Sequence, residues 1–365
     1  MPQNIMRLLT LLLALITTPA FAEDLVLVNG TIIEGTLKAR YAGSVRIRDG
    51  EITDIGVFKP MPGETVLDVK GLIVAPGFID LHSQSGVDFA KDPGAASQIM
   101  QGITTAIVGG DGTGPYSIEE FLSPFDDKPA ALNLAGFIGH GTVRRQILGS
   151  DYRRAATAEE IERMSELVKD GMLQGAFGFS SDLTREHSSF STADETMALA
   201  KAVFRYGGTY VIFPRNDSIK EAVDISRALK MPVHVSLAKP VTTILAEIDR
   251  ARIQGADIAA DIYSYAEAGP ALRAFLQHAW VLTLPAQYAR DDKAITLERA
   301  VRKMTGLPAA RIGLRGRGVL TRGAPADIVV FDPIQNRAMK YVFVNGVMVV
   351  KDGRPTEARP GRALR

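Results

Sequence analysis

The stretch "GFIDLHSQSG", residues 77–86, joins an apolar run to a polar turn and carries a histidine where the two meet. A strand of this kind often ends in a His-x-His pair, because side chains two residues apart on a strand point the same way and can share a metal ion. Here the two positions are His82 and Gln84. An imidazole nitrogen is a good zinc ligand, whereas a neutral amide oxygen is a poor one. The spacing therefore indicates a metal site at His82, with Gln84 as a weak partner; the alternative is a strand-end histidine that needs only a hydrogen bond.

Other polar residues follow apolar runs, which suits a site built at strand ends. His140 follows "AGFIG", Ser181 follows "AFGFS", and Asp261 lies in "ADIYSY". A serine nucleophile needs a base within hydrogen-bond reach, and the sequence has no G-x-S-x-G turn. We therefore do not expect a serine hydrolase. Asp261 could orient a pocket group or supply a carboxylate, and a structural hydrogen bond is the alternative.

The middle of the chain alternates strand and helix patterns. Its strand candidates are continuous apolar runs, as expected for a parallel sheet with both faces buried. Repeated β–α units favour an α/β fold of the (β/α)8 TIM-like barrel type; a doubly wound sheet is the alternative, but no G-x-G-x-x-G follows a first strand. The eighth strand is uncertain, because "AWVLTLP" (279–285) could equally begin a helix, so the barrel could be incomplete there. The strand candidates are 77–82, 104–109, 133–139, 176–181, 209–213, 232–237 and 257–263.

The two ends of the chain resemble each other and differ from the middle. Residues 24–58 and 319–353 both contain short β-rich runs with Asn-Gly or Asp-Gly turns, a strong hairpin pattern. We expect the ends to pair into one small β-sandwich. The division predicted is a signal peptide at 1–22, a β-sandwich from 23–75 and 310–365, and a (β/α) barrel at 76–309.

Residues 1–22 look like a secretory signal. Arg7 is their only charged side chain, residues 8–17 form an apolar core, and "AFA" at 20–22 is an A-x-A cleavage site. A membrane anchor is the alternative, but a span needs about 20 apolar residues. We expect an exported, periplasmic protein with no membrane span after cleavage.

Composition limits the partners. The chain has 42 Lys and Arg, 41 Asp and Glu, and a formal charge of +1. A nucleic-acid binder would need a basic patch, so we expect a small-molecule substrate and no nucleic acid. The absence of cysteine excludes disulfides and thiolate metal ligands.

Seven stretches, in order along almost the whole chain after residue 22, resemble the amidohydrolase superfamily and within it the D-aminoacylase (N-acyl-D-amino-acid deacylase) family. The resemblance implies a metal-assisted (β/α)8 hydrolase that cuts an amide bond, with a β-sandwich beside the barrel. The stretches are "GLIVAPGFIDLHSQ", "QGITTAIVGG", "GHGTVR", "GAFGFSSDL", "DIYSY", "RGVLTRGAPADIVVFD" and "VNGVMVVKDGRPTEARPGRALR".

The resemblance also implies where metal ligands belong, and this chain departs from the pattern. The cysteine after the family's second strand is matched by Asp111, which could ligate zinc or serve as a turn residue in "GGDGTG". The histidines of the fifth and sixth strands are matched by Phe213 and Leu237, which cannot coordinate a cation, and the aspartate that ends the eighth strand has no counterpart. The metal candidates are therefore His82 and Asp111, with Gln84 and His278 as weak ones, and a rearranged third ligand would come from His140, Asp261 or His278.

Basic positions of the family are retained. Arg144, Arg215 and Lys239 match basic residues near the family's barrel mouth, and with His140 and Ser181 they are our substrate-binding candidates. Their retention beside lost ligands fits a site that binds an anion such as a carboxylate. The alternative is that each is a solvated or structural charge.

Two functions remain open. The first is an exported hydrolase that acts on amide C–N bonds of N-acyl-amino-acid-like substrates, with zinc at a degenerate site polarising the carbonyl and Asp261 as the candidate catalytic group. The second is a non-catalytic barrel that binds acylated amino acids or cell-wall fragments without cutting them. Ancestry favours the first, and the ligand count favours the second, because a catalytic zinc usually has three protein ligands.

Overall fold

The protein is described by a computed structural model, which covers residues 24–83, 89–215, 218–237, 242–262, 296–333 and 339–365. The predicted signal segment and the eighth-strand candidate at 279–285 lie outside these residues. The strands are β1 Leu25–Ile32, β2 Tyr41–Arg48, β3 Glu51–Gly56, β4 Thr65–Asp68, β5 Ile73–Pro76, β6 Phe78–Ser83, β7 Ile103–Val108, β8 Asn133–Gly136, β9 Ile138–Gly139, β10 Gly178–Asp182, β11 Thr209–Phe213, β12 Val233–Leu237, β13 Ile258–Ile262, β14 Ile328–Phe331, β15 Met339–Val344, β16 Val347–Lys351 and β17 Arg354–Pro355.

Helices follow most of the central strands. Several begin at a threonine or serine whose side chain accepts a hydrogen bond from the third residue of the helix, as Thr157 does at α4 with a full capping box to Glu160. The helices are α1 Ala96–Ile99, α2 Ile118–Asp127, α3 His140–Leu148, α4 Ala158–Leu173, α5 Ala193–Phe204, α6 Lys220–Leu229, α7 Thr242–Ile253, α8 Leu297–Met304 and α9 Gly306–Arg311, with a 3-10 turn at Gly149–Asp151.

The two ends of the chain share one sheet. Its strand order is β17-β16-β15-β14-β5-β1-β2-β3, with β4 beside β1. The seam is the antiparallel pair β14 and β5, in which Val329 faces Ala75. The hairpin turns use Asp49-Gly50 and Asn345-Gly346, all four with positive φ, which matches the right-handed twist of the strands they connect. The pairing of the ends is thus present, while a second sheet layer, and with it the β-sandwich, stays a prediction.

All seven clear central strands of the sequence prediction are present as parallel strands. They form the hydrogen-bonded runs β6-β7-β8 and β9-β10-β11-β12-β13, and β8 and β9 are consecutive pieces of one strand interrupted at Phe137. The order follows the chain without the reversal that a doubly wound sheet requires. Among the described residues no hydrogen bonds join β13 to β6, so closure of the barrel is not shown by pairing.

Apolar side chains fill both faces of these strands. On the inner face, the strand residues Ile79, Leu81, Ile107, Phe137 and Val211 pack with Ala309 of α9 and with residues just after that helix. On the outer face the alternate residues join the large cluster that includes α4 and α5. Because parallel strands end at the same edge, this packing brings the residues that follow each strand together at the carboxyl ends.

Candidate functional site

His82 is the last residue but one of β6 and is held by the neighbouring strands. Its side chain is buried, and its Nε2 lies 2.9 Å from the Ser236 hydroxyl oxygen on β12. The Phe213 ring of β11 meets the imidazole edge-on, with centroids 5.7 Å apart. The His234 ring lies 6.1 Å away. Nε2, one of the two ring nitrogens that can bind a metal, therefore already faces a hydroxyl group, and the Phe213 ring lies beside it.

The glycine-rich loop after β7 packs directly on this histidine. A Cβ on Gly110 would lie 2.8 Å from Nδ1 of His82 and 2.8 Å from the Leu81 carbonyl oxygen. Gly112 donates its N–H to the Ser180 hydroxyl at 3.1 Å. The glycines of "VGGDGTG" thus allow the loop to lie against both β6 and β10, which fixes the residue between them, Asp111.

Asp111 is a turn residue and an ion-pair partner at once. Its Oδ1 accepts hydrogen bonds from the Thr113 hydroxyl at 2.6 Å and the Thr113 N–H at 3.2 Å. Its Oδ2 lies 3.0 Å from Nη2 of Arg185. Arg185 also donates from Nε to Oδ2 of Asp182 at 3.1 Å. Asp111 is therefore a turn residue whose second carboxylate oxygen faces a guanidinium, and its role as a zinc ligand stays a prediction.

The described residues do not fit a metal ion. No group of three or more His, Asp or Glu side chains able to hold a metal occurs within the described ranges. His82 faces Ser236 and Phe213, and Asp111 faces a guanidinium, whose positive charge disfavours a cation at the same oxygen. Four candidates from the sequence lie outside the described residues or have undescribed side chains, namely Gln84, Lys239, Asp261 and His278.

His140 and Ser181 meet in a buried chain of hydrogen bonds on the outer side of the strands. The Ser181 hydroxyl lies 2.9 Å from Nδ1 of His140, and Nε2 of His140 lies 2.7 Å from the Glu195 carboxylate on α5. Arg144 completes the chain with a hydrogen bond of 2.6 Å to the same carboxylate oxygen. All four side chains are fully buried, so a substrate does not reach Ser181 in this arrangement.

The protonation of this chain of hydrogen bonds follows from burial and charge. Burial lowers the pKa of His140 below its usual 6.5, although Glu195 acts in the opposite direction. Burial raises the pKa of the Glu195 carboxyl, but the hydrogen bonds from His140 and Arg144 outweigh it and the net shift is downward. A neutral His140 between a hydroxyl and a carboxylate donates from Nε2–H to Glu195 and accepts from Ser181 at Nδ1. The unit is an ionised Glu–Arg pair with a neutral histidine.

Arg144 and Arg215 are the two described arginines among the substrate-binding candidates, and both donate hydrogen bonds to other groups of the protein. Arg144 also donates to the carbonyl oxygens of Tyr152 at 2.9 Å and Arg154 at 2.8 Å. Nη1 of Arg215 donates to the Ser191 carbonyl oxygen at 2.9 Å, and its Nε lies 3.3 Å from Oε2 of Glu221. These contacts favour the structural alternative for both residues, and their roles in anion binding stay predictions.

Sequence reasoning missed Arg185, Asp182, Ser236 and Glu195. Asp182 lies in the quoted stretch "GAFGFSSDL", and the pattern Asp-x-Thr at 182–184 repeats that at 111–113, a signal for two equivalent turns. Glu195 is the third residue of α5 after its cap Thr192. That position is typical of a solvent-exposed capping glutamate, so nothing in the sequence indicated a fully buried one.

Fold and comparison with known proteins agree on the class. Residues 268–356 match the amidohydrolase family, and the fold corresponds to that of N-acyl-D-glutamate deacylase from Bordetella bronchiseptica, with a TM-score of 0.83 and 26% identity over 94% of this chain and 99% of that one. The fold class is therefore α/β, of the TIM-barrel type found in amidohydrolase structures such as this one.

Within that class the chain is similar to D-aminoacylases over nearly its whole length. It is 27% identical to D-aminoacylase of Alcaligenes xylosoxydans xylosoxydans, covering 93% of this chain and 97% of that one. It is also 27% identical to N-acyl-D-glutamate deacylase of the same organism, covering 94% and 96%. The resemblance stated from the sequence motifs is confirmed.

The relatives are longer inside the matched region. The D-aminoacylase alignment spans 474 positions and this chain has 365 residues, so at least 109 positions (474 less 365) have no counterpart here. A difference of this size is of the kind expected if the region before α8 is shortened.

Within the described ranges, no helix has the length and apolar character needed to cross a membrane.

Proposed function

We propose that this chain acts on small N-acyl-amino-acid-type molecules at the carboxyl ends of its parallel strands, as an amidohydrolase-family hydrolase of their amide C–N bond. The observation that supports it is the likeness to D-aminoacylase and N-acyl-D-glutamate deacylase across more than nine-tenths of the chain. Those names share an acyl group on the nitrogen of a D-amino acid. They differ in side chain, so the proposal specifies the bond and leaves the side chain open.

The related deacylase structure is complexed with zinc and a phosphonate that mimics the tetrahedral intermediate. In this chain the described residues do not fit a metal ion. Ser236 and Phe213 contact the His82 ring and set its orientation. A metal site here would depend on ligands from Gln84, Asp261 or His278.

A second candidate function is binding of the same molecules without hydrolysis. The observation in its favour is the state of the two best metal candidates, since His82 faces a hydroxyl and Asp111 faces a guanidinium. A barrel that kept its strand ends but lost its ligands would still recognise acylated amino acids or cell-wall fragments.

One experiment tests the first function and separates it from the second. The chain is purified without a histidine tag, its zinc content is measured, and release of free amino acid from N-acetyl-D-glutamate and N-acetyl-D-aspartate is followed with and without added zinc. Turnover that is lost in His82→Ala supports the hydrolase. Saturable binding without turnover, at every zinc concentration tested, supports the second function and overturns the first.

The proposal includes export. The support is the signal-like pattern of residues 1–22 with its A-x-A site. N-terminal sequencing of the protein recovered from the periplasm should begin at Glu23, whereas an uncleaved chain in the cytoplasmic fraction would contradict export.

A further inference from the structure

Two aspartates from different strand ends share one guanidinium at the edge of the candidate site. Asp111 follows β7 and Asp182 ends β10. Nη2 of Arg185 lies 3.0 Å from Oδ2 of Asp111, and Nε of Arg185 lies 3.1 Å from Oδ2 of Asp182. The two carboxylates are mostly buried, with side-chain exposures of 15% and 11%, and the arginine is about half exposed at 48%. The trio therefore lies where solvent ions have access to it.

The two carboxylates are held by the same kind of Asp-x-Thr turn. Oδ1 of Asp111 accepts from the hydroxyl and N–H of Thr113, and Oδ1 of Asp182 accepts from the hydroxyl and N–H of Thr184, at 2.6 and 3.0 Å. Each turn uses one oxygen and leaves the other, Oδ2, directed at Arg185. Two anionic oxygens from separate elements thus converge on a single cationic group.

The guanidinium edge used here normally takes both oxygens of one carboxylate. The N–H bonds of Nε and Nη2 point the same way, and this fork matches a single carboxylate in the usual bidentate pair. In this protein Nε donates to Oδ2 of Asp182 and Nη2 forms an ion pair with Oδ2 of Asp111, so the same edge faces one oxygen from each of two carboxylates. That is the bridging role that a divalent cation plays between two carboxylate ligands.

We infer that Arg185 is a built-in cation, which holds Asp111 and Asp182 together in place of a metal ion and keeps divalent metal away from Asp111. The guanidinium balances one of the two negative charges and occupies the space between their Oδ2 oxygens. The backbone of Arg185 is held as well. Its N–H donates to the Asp182 carbonyl oxygen, and its carbonyl oxygen accepts from the N–H groups of Ser188 and Ser189. The inference concerns metal binding alone and does not rest on the proposed function.

The test uses zinc and manganese ions as probes, without substrate. Metal affinity is measured by calorimetry, and by electron paramagnetic resonance for manganese, on the full chain and five variants, one of which is Asp111→Asn alone. Arg185→Ala and Arg185→Gln remove the charge, Arg185→Lys keeps it, and Arg185→Ala with Asp111→Asn removes the charge and one anionic oxygen. Circular dichroism verifies folding, and the two neutral variants guard against one of them failing to fold.

We expect the neutral variants to bind metal at least tenfold more tightly than the wild-type chain, Arg185→Lys to behave like wild type, and the double variant to lose the gain. Two results would overturn the inference. One is wild-type metal binding that Asp111→Asn abolishes, because Asp111 would then be a ligand despite Arg185. The other is unchanged metal affinity in the folded neutral variants. Both results are independent of whether the chain turns over any N-acyl amino acid.

Discussion

At the scale of single residues, the polar side chains that the sequence indicates as metal candidates form their hydrogen bonds and ion pairs with other groups of the protein. His82 was predicted as a metal candidate from its place near a strand end and Asp111 from the family resemblance; both lie near strand ends in the structure, and their metal role stays a prediction. Their partners Ser236 and Arg185 could not be predicted, because they come from elements 154 and 74 residues away along the chain. Sequence spacing fixes which residues share a strand, whereas the contacts across strands depend on the packed fold.

The buried Glu195 carboxylate gives the sharpest test at this scale. Glu195→Gln should lower the free energy of unfolding by about 3–5 kcal/mol, because it leaves the Arg144 guanidinium buried without its counter-charge. Urea unfolding followed by circular dichroism measures the change. The matched control is Glu186→Gln, whose ion pair with Arg153 is solvent-exposed and should contribute little. Equal effects of the two changes would contradict a dependence on burial.

The lowered pKa of His140 predicts a dependence of stability on pH. The folded pKa lies below the unfolded value of 6.5, so the unfolded chain binds more protons at pH values between the two. The contribution is fully present above pH 6.5 and is lost as the pH falls below that value. Unfolding free energies at pH 7.5, 6.5 and 5.5 should decline more steeply in the wild-type chain than in His140→Gln. Parallel curves for the two proteins would show that His140 is not the group responsible.

At the scale of elements, the strands and helices were predictable and the loops were not. Each central strand is a continuous apolar run of ordinary length, and α4 and α5 each follow a threonine cap. The loop at 109–114 was recognised only as a turn. The loop packs closely on β6, β9 and β10 because its glycines have no side chains. The sequence shows the glycines, but it does not show which elements occupy the space that side chains would need.

Gly139 tests this packing. Its backbone is extended, with φ −90° and ψ 126°, so alanine is allowed there conformationally. A Cβ at this position would lie 2.4 Å from the Gly114 nitrogen and 2.7 Å from the Gly112 carbonyl oxygen. Gly139→Ala should therefore cost about 3 kcal/mol through overpacking against backbone, measured by thermal or urea unfolding.

The control for Gly139 is Gly63→Ala. Gly63 has φ +86°, but a Cβ added there would meet no other atom within 4 Å. The cost of the change is therefore conformational alone, roughly 1–2 kcal/mol. A smaller loss for Gly139→Ala than for Gly63→Ala would show that the loop yields easily and does not fix the position of Asp111.

At the scale of the whole molecule, a buried polar network joins the terminal sheet to the central strands. Asn133 on β8 donates to the Asp327 carboxylate at 3.1 Å and accepts from Asn345 at 2.8 Å and from the Arg362 N–H at 3.1 Å. Arg317 pairs with the same aspartate. The C-terminal segment is thus tied to the strand layer by largely buried polar groups, which the motif resemblance did not specify.

Asn133→Ala should destabilise the protein by about 3 kcal/mol, because it leaves several buried polar groups without their partner. Urea unfolding measures the loss. Gln254→Ala is the control, since Gln254 makes an exposed hydrogen bond with Arg227 and its removal should change little. A loss no larger than that of the control would mean that the network does not couple the sheet to the strands.

Both candidate functions require that the carboxyl ends of the strands recognise N-acyl amino acids, and this is the central claim to test. The most direct measurement is equilibrium binding of N-acetyl-D-glutamate to the purified chain and to His82→Ala. We predict saturable binding by the wild-type chain that weakens at least tenfold in the variant. Absence of saturable binding up to millimolar ligand, or binding that His82→Ala leaves unchanged, would contradict the claim.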